Sequence, residues 1–137
     1  MKGLILNKGF TLVELMIVLV LIVILFSLSY PSYLNYVRES RRTEAKNTLL
    51  AMQLAQEQYR FNHSQYGSLA QVWGTNNKTE NGYYLLTIND LSPTGYTLTA
   101  AALGDQQKDT DGSKSCSSLT IKVTGLTTQR TPLECWN

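Results

Sequence analysis

One stretch of this chain constrains everything else. Residues 15–37 form a run of 23 positions without a single charge. At 1.5 Å per residue, a helix of that length is about 34 Å long, enough to cross the hydrocarbon core of a bilayer. Its densest part, residues 15–26, has no polar residue and so no helical stripe. A helix apolar on all sides must be covered by lipid or by other protein. Across residues 10–30, 17 of 21 positions are apolar, against 43% for the 137-residue chain. That imbalance excludes a simple cytosolic globule, a multidomain chain and a disordered one. About 100 residues follow the apolar run, enough for one small core.

Charge and cysteine content narrow the classes further. Twelve Lys and Arg against ten Asp and Glu give a net charge of +2, which implies no strong pull on nucleic acid or anionic lipid. The two cysteines, Cys116 and Cys135, follow an export-type segment, so they are expected to form one disulfide in an oxidising compartment. A secretory signal peptide would need a small-x-small cleavage site after its apolar core, and Phe26-Ser27-Leu28-Ser29-Tyr30-Pro31 offers none. A plain single-pass anchor leaves Glu14 unexplained, because a carboxylate at the mouth of an apolar run is costly to bury.

Lys8-Gly9-Phe10-Thr11-Leu12-Val13-Glu14-Leu15 resembles the prepilin signature of type IV pilins and pseudopilins. A nine-residue leader and a leading Phe are similar to the type IVa class. The resemblance implies cleavage after Gly9 by a membrane prepilin peptidase and N-methylation of the new terminus at Phe10. Gly9 lets a protease approach the backbone closely, and cleavage exposes a positive α-amino group on Phe10. The resemblance also implies that Glu14 meets the Phe10 amine of a neighbouring subunit during assembly, and that Pro31 marks a bend or a weak point in the helix. Removing residues 1–9 takes away Lys2 and Lys8, leaving ten basic against ten acidic side chains. Positive charges flank the apolar run on both sides, so the peptidase motif sets the orientation and the charge rule does not.

The remainder reads as an α+β head. Leu34, Val37, Ala45, Leu49, Met52, Ala55 and Tyr59 recur at helical spacing, so a helix is expected over residues 10–61, with residues 10–37 its assembly half and 38–61 its amphipathic half. The charged run 38–46 is expected on a solvated or subunit-facing surface, with Arg41 and Glu44 placed to pair. Residues 62–82 read as a connection, containing a 67–82 loop anchored by Val72 and Trp73. Strands are expected over 83–88, 96–100 and 119–123, with a turn at 89–95 and room for a fourth short strand near the C-terminus. This is an antiparallel meander that can bury one face against the helix, inside a globular part spanning residues 38–137.

Asp105, Asp109 and Asp111 invite a calcium reading, but they lack an alternating-acid loop with a distal Glu, and 104–112 reads as a polar turn. His63 is the sole histidine, so a multi-histidine metal site is excluded. No nucleophile–base pair or phosphate-binding glycine loop is visible, so neither enzyme activity nor a cofactor is expected.

The pattern Gly95-Tyr96-Thr97-Leu98-Thr99-Ala100 with Cys116-Ser117-Ser118-Leu119 and a closing Cys135-Trp136 resembles PilE-type minor pilins; pilin-like competence proteins have similar endings. The resemblance implies the type IV pilin fold and a structural subunit of a pilus, with adhesion, twitching motility or DNA uptake as downstream roles. It implies a single-pass inner-membrane precursor with a periplasmic head, then an extracellular filament. Its partners would be other minor pilins, the major pilin, the assembly platform and the peptidase. A DNA-binding competence pilin is one alternative, expected to carry a basic stripe drawn from Lys78, Lys108, Lys114, Lys122 and Arg130. A secretion-system pseudopilin and a major pilin are the others.

Overall fold

The structure, a computed structural model, describes residues 9–137. Of the leader, only Gly9 falls among them; positions 1–8 lie outside the described residues. The chain divides into two compact units between Leu34 and Asn35.

In the first unit the long helix α1 (Leu12–Asn62) begins. Thr11 caps it: the Glu14 amide donates to Thr11 Oγ1 at 3.2 Å, which satisfies one of the amides a helix start leaves open. The large apolar side chains from Leu12 to Phe26 are all exposed, and even the least exposed, Ile22, retains 41% of its surface. Among the described residues of this unit nothing covers them. Just past that stretch, the Ser27 hydroxyl bonds back to the helix, donating to the Ile24 carbonyl at 2.7 Å. Pro31 lies inside α1, and the helix continues past it. A proline costs about one helical hydrogen bond, and the good helix formers on either side absorb that loss.

The second unit packs the rest of α1 against a four-stranded antiparallel sheet. Its strands are β1 (Tyr84–Ser92), β2 (Gly95–Ala102), β5 (Ser118–Thr124) and β6 (Thr127–Thr131), in the order β1-β2-β5-β6. A short ribbon of β3 (Thr110–Asp111) and β4 (Lys114–Ser115) sits between β2 and β5 in the chain. Alternation decides the faces: Tyr96, Leu98, Ala100, Leu119, Ile121 and Val123 point inward and are buried with Ala45, Leu49 and Met52 of α1. Full burial of side chains of this size stabilises a fold by about 1.5–3 kcal/mol each.

The fourth short strand expected near the C-terminus is present as β6 and carries no buried residue. Other expectations need correction. The 89–95 turn is mostly strand: β1 runs to Ser92, and only Pro93 and Thr94 bridge to β2. A bulge lets this happen, with the register shifting between Asn89 and Ser92 and Asp90 taking φ 53°. Thr97 Oγ1 donates to Asp90 Oδ2 at 2.9 Å and holds the bulge in place. The 67–82 loop contains a one-turn helix, α2 (Leu69–Val72), and a strand-like stretch whose Lys78 bridges Leu85 and covers part of the β1 edge. The anchor at Val72 and Trp73 is half-buried, with Trp73 against the core.

Candidate functional site

The buried face of α1 is built from Arg42, Ala45, Leu49, Met52 and Gln56, spaced three, four, three and four residues apart. Two of these five are polar, and both connect the helix to the loops. Gln56 is fully buried; its Nε2 donates to the Gly67 carbonyl at 2.6 Å and its Oε1 accepts the Gly67 amide at 2.9 Å. This side chain satisfies both backbone groups of a buried loop residue, which would otherwise be costly. A Cβ at Gly67 would stand 2.6 Å from Val72 Cγ1, so only glycine fits there.

Arg42 is 4% exposed and faces the 109–116 segment. Its Nε lies 3.6 Å from Asp109 Oδ2, its Nη2 3.5 Å from Asp111 Oδ2, and its Nη1 2.7 Å from Cys116 Sγ. Asp109 is itself 2% exposed. Burial pushes the Asp109 carboxyl above its usual range, against the pull of the Arg42 guanidinium. Nearby, Gln106 Nε2 donates to the Tyr84 hydroxyl and to the Arg38 carbonyl, both at 2.9 Å. Burial raises the Tyr84 phenol to about 12, with the Gln106 bond opposing.

Two sequence expectations fail here. The 38–46 run is not simply a solvated face. Arg38 binds Asp105 at 3.0 Å, Arg41 stacks 4.1 Å over the Tyr83 ring, and Arg42 is interior. Glu44 pairs with Asn81 rather than with Arg41, accepting its amide and its Nδ2, each at 2.9 Å. The 104–112 segment is also more than a polar turn. It forms a 3-10 turn (Gly104–Lys108) and the β3 arm of the ribbon, and its buried Gln106 and Asp109 lock it to α1. Asp105, Asp109 and Asp111 each meet an arginine. Helical phase could have exposed Arg42 and Gln56, since both fall in step with Ala45, Leu49 and Met52.

Cys116 and Cys135 are disulfide-bonded and fully buried. The bond pins the 3-10 turn Leu133–Trp136. Glu14 is exposed at the start of α1, and Phe10 just before it is 78% exposed.

The five basic residues considered as a stripe do not share a face. Lys122 pairs across the sheet with Thr97 and Gln129, on the outer face. Arg130 pairs with Ile121, so it lies on the opposite, helix-side face, where it stacks over Trp136. Lys108 pairs with Asp105 at 3.1 Å, which it shares with Arg38. Lys114 belongs to the separate ribbon. Lys78 bridges Leu85, whose row continues through Ala101 and Ser118, so it joins Lys122 on the outer face. Between the two lysines runs a cross-strand row of Thr87, Thr99, Thr120 and Thr131, followed by a row of Asn89, Thr97, Lys122 and Gln129.

The comparison with known families is direct. Residues 31–120 match the family of the type IV minor pilin ComP, the DNA uptake sequence receptor. Residues 6–30 match the prokaryotic N-terminal methylation motif. The chain belongs to the type IV minor pilin ComP family. The fold agrees with that: a long N-terminal helix and a four-stranded antiparallel sheet. Among individual proteins, this pilin is 33% identical over 96 residues to the type IV major pilin protein PilA of Myxococcus xanthus. It is 36% identical over 88 residues to the fimbrial protein EcpC of Eikenella corrodens, and 32% identical over 84 residues to a fimbrial protein of Neisseria meningitidis. Those alignments cover 70%, 60% and 61% of this chain. They span only 39%, 53% and 49% of the three relatives, about half their length or less.

Proposed function

We propose that this pilin is a minor subunit of a type IV pilus and that its head contacts DNA during uptake. The observation that carries the reading is the match of the DNA uptake sequence receptor model to residues 31–120, most of the folded head. The alternative weighed against a general minor-pilin role from the sequence, a DNA-binding competence pilin, thus becomes the leading reading. The contact surface we assign is the outer sheet face with Lys78 and Lys122. Lysines supply the phosphate charge contacts, and Thr, Asn and Gln are suited to phosphate oxygens.

Assembly follows from the first unit. Cleavage after Gly9 and methylation of Phe10 would leave α1 in the inner membrane, with the head in the periplasm. Glu14 would then pair with the Phe10 amine of a neighbour, because a carboxylate entering an apolar bundle needs a cation. The exposed apolar side chains from Leu12 to Phe26 would be covered by other pilins, and Pro31 would be the point where α1 adjusts. The peptidase, the assembly platform, other minor pilins and the major pilin are the implied partners. Similarity to a major pilin supports a second reading, a major subunit, which abundance in sheared filaments decides.

The DNA reading is tested by fluorescence anisotropy with full-length chain in detergent micelles and a labelled duplex. Binding should weaken steeply with salt, and Lys78→Ala and Lys122→Ala should each lower the log–log salt slope by about 0.9. Binding that is absent at low salt, or unchanged in both variants, would refute this surface.

A further inference from the structure

We propose that the Cys116–Cys135 disulfide is an asymmetric exchange site: an external thiolate attacks Cys135, and Cys116 leaves. The two sulfurs have opposite surroundings. Cys116 Sγ receives Arg42 Nη1 at 2.7 Å, with the Lys114 carbonyl farther off at 3.9 Å. Cys135 Sγ faces the Ser115 carbonyl at 3.7 Å. A cation beside a sulfur favours its thiolate, whereas a carbonyl oxygen does not. In thiol–disulfide exchange the sulfur with the more stable thiolate is the better leaving group.

The guanidinium is aimed. Asp109 faces its Nε as an ion pair at 3.6 Å and Asp111 its Nη2 at 3.5 Å, leaving Nη1 directed at Cys116. These carboxylates lie on the far nitrogens, so the nearest charge to the sulfur is positive. Among the other charged groups here, Arg38 and Lys108 are occupied by Asp105, and Lys46 donates to the Asn137 carbonyl at 2.7 Å. Glu39 on α1 and Lys114 on β4 are exposed.

The step balances without a further reagent. The external thiolate forms an S–S bond to Cys135 Sγ while the Sγ–Sγ bond breaks. Its electron pair passes to Cys116, which becomes a thiolate against Arg42. Attack in reverse by Cys116 expels the external thiol and restores the bond. Both sulfurs are buried, so access requires the Leu133–Trp136 turn to open. That turn is four residues long and its Leu133 is 69% exposed, the kind of segment that opens locally. Cys116 keeps its seat beside Arg42 while the tail with Cys135 is released and relatched.

The test uses full-length chain in detergent micelles, treated with reduced glutathione, alkylated with N-ethylmaleimide and mapped by tandem mass spectrometry. Glutathione should be on Cys135 and the alkyl group on Cys116, in about tenfold excess over the reverse pattern. Arg42→Lys should retain the bias. Arg42→Met combined with Asp109→Asn removes both buried charges together and should bring the ratio close to one. Circular dichroism confirms that each variant is folded; should the double variant not fold, the Arg42→Lys ratio together with the wild-type site decides. Glutathione on Cys116, an unchanged bias in the folded double variant, a bias lost in folded Arg42→Lys, or no adduct on either cysteine of the wild type would overturn the proposal.

Discussion

Replacing Arg42 by methionine should be among the most damaging single changes in the head. The side chain is 4% exposed and its partner Asp109 is 2% exposed. Methionine fills a similar volume, so the cost is electrostatic: Asp109 would be left buried without its cation. Breaking a buried pair in this way costs about 3–5 kcal/mol. The pH dependence gives the argument its edge. The Asp109 carboxyl already sits above its usual range because burial outweighs the pull of Arg42. A raised carboxyl binds its proton more tightly in the folded state than in the unfolded one, so its contribution to stability falls as pH rises through that range. Without Arg42 the carboxyl rises further, and the penalty should be largest near neutrality and shrink towards pH 4. Urea unfolding of the full-length chain in micelles, followed by near-ultraviolet circular dichroism of the buried tyrosines, reads both effects. Adding Asp109→Asn to Arg42→Met should recover about 2 kcal/mol at neutral pH. A penalty equal at pH 4 and pH 7, or no recovery in the double variant, would refute the reasoning.

Other outcomes follow from the same contacts. Gly95→Ala places a Cβ 2.4 Å from the Val123 carbonyl oxygen, so it should destabilise the head by about 1–3 kcal/mol in the same unfolding assay. At Glu44, burial pushes the carboxyl up, but the two Asn81 bonds and the Thr79 hydroxyl together outweigh it and the net shift is downward. Its stabilising contribution is therefore full above the ordinary carboxylate value and is lost as pH falls through the lowered one; Glu44→Gln should flatten that limb of the pH–stability curve. Replacing Cys116 and Cys135 together by serine opens a 19-residue separation and should cost about 3 kcal/mol, seen as an earlier urea midpoint. Glu14→Ala should block incorporation into sheared filaments while leaving leader cleavage intact, as read by immunoblot; normal incorporation would remove the pairing argument.

Much of the fold could be read from the residues because pattern and physics agree there. The uncharged run 15–37 dictates α1, and the alternation in 96–100 and 119–123 dictates which side of the sheet is buried. The disulfide follows from two cysteines behind an export-type segment. What escaped were polar residues in apolar positions. Gln56 and Arg42 share the phase of the buried stripe, but side-chain polarity argues for the surface, and only their loop partners make burial tolerable. Asp109 was hidden for the same reason, because a polar segment closing on Asp111-Gly112 ordinarily marks a solvated turn. The basic stripe failed for a different cause. Residues 122 and 130 look equivalent along the chain, but the β5–β6 register sends their side chains to opposite faces. Register depends on hairpin geometry, which composition does not encode.

The DNA contact proposed for the outer sheet face has to operate in a chain with a near-neutral charge balance. Its most direct measurement is the salt dependence of duplex binding by the full-length chain and by the Lys78→Ala, Lys122→Ala double variant. Binding at low salt is expected, with a negative log–log slope reduced by about 1.8 in the double variant. Equal slopes in the two proteins, or no binding by either, would contradict it.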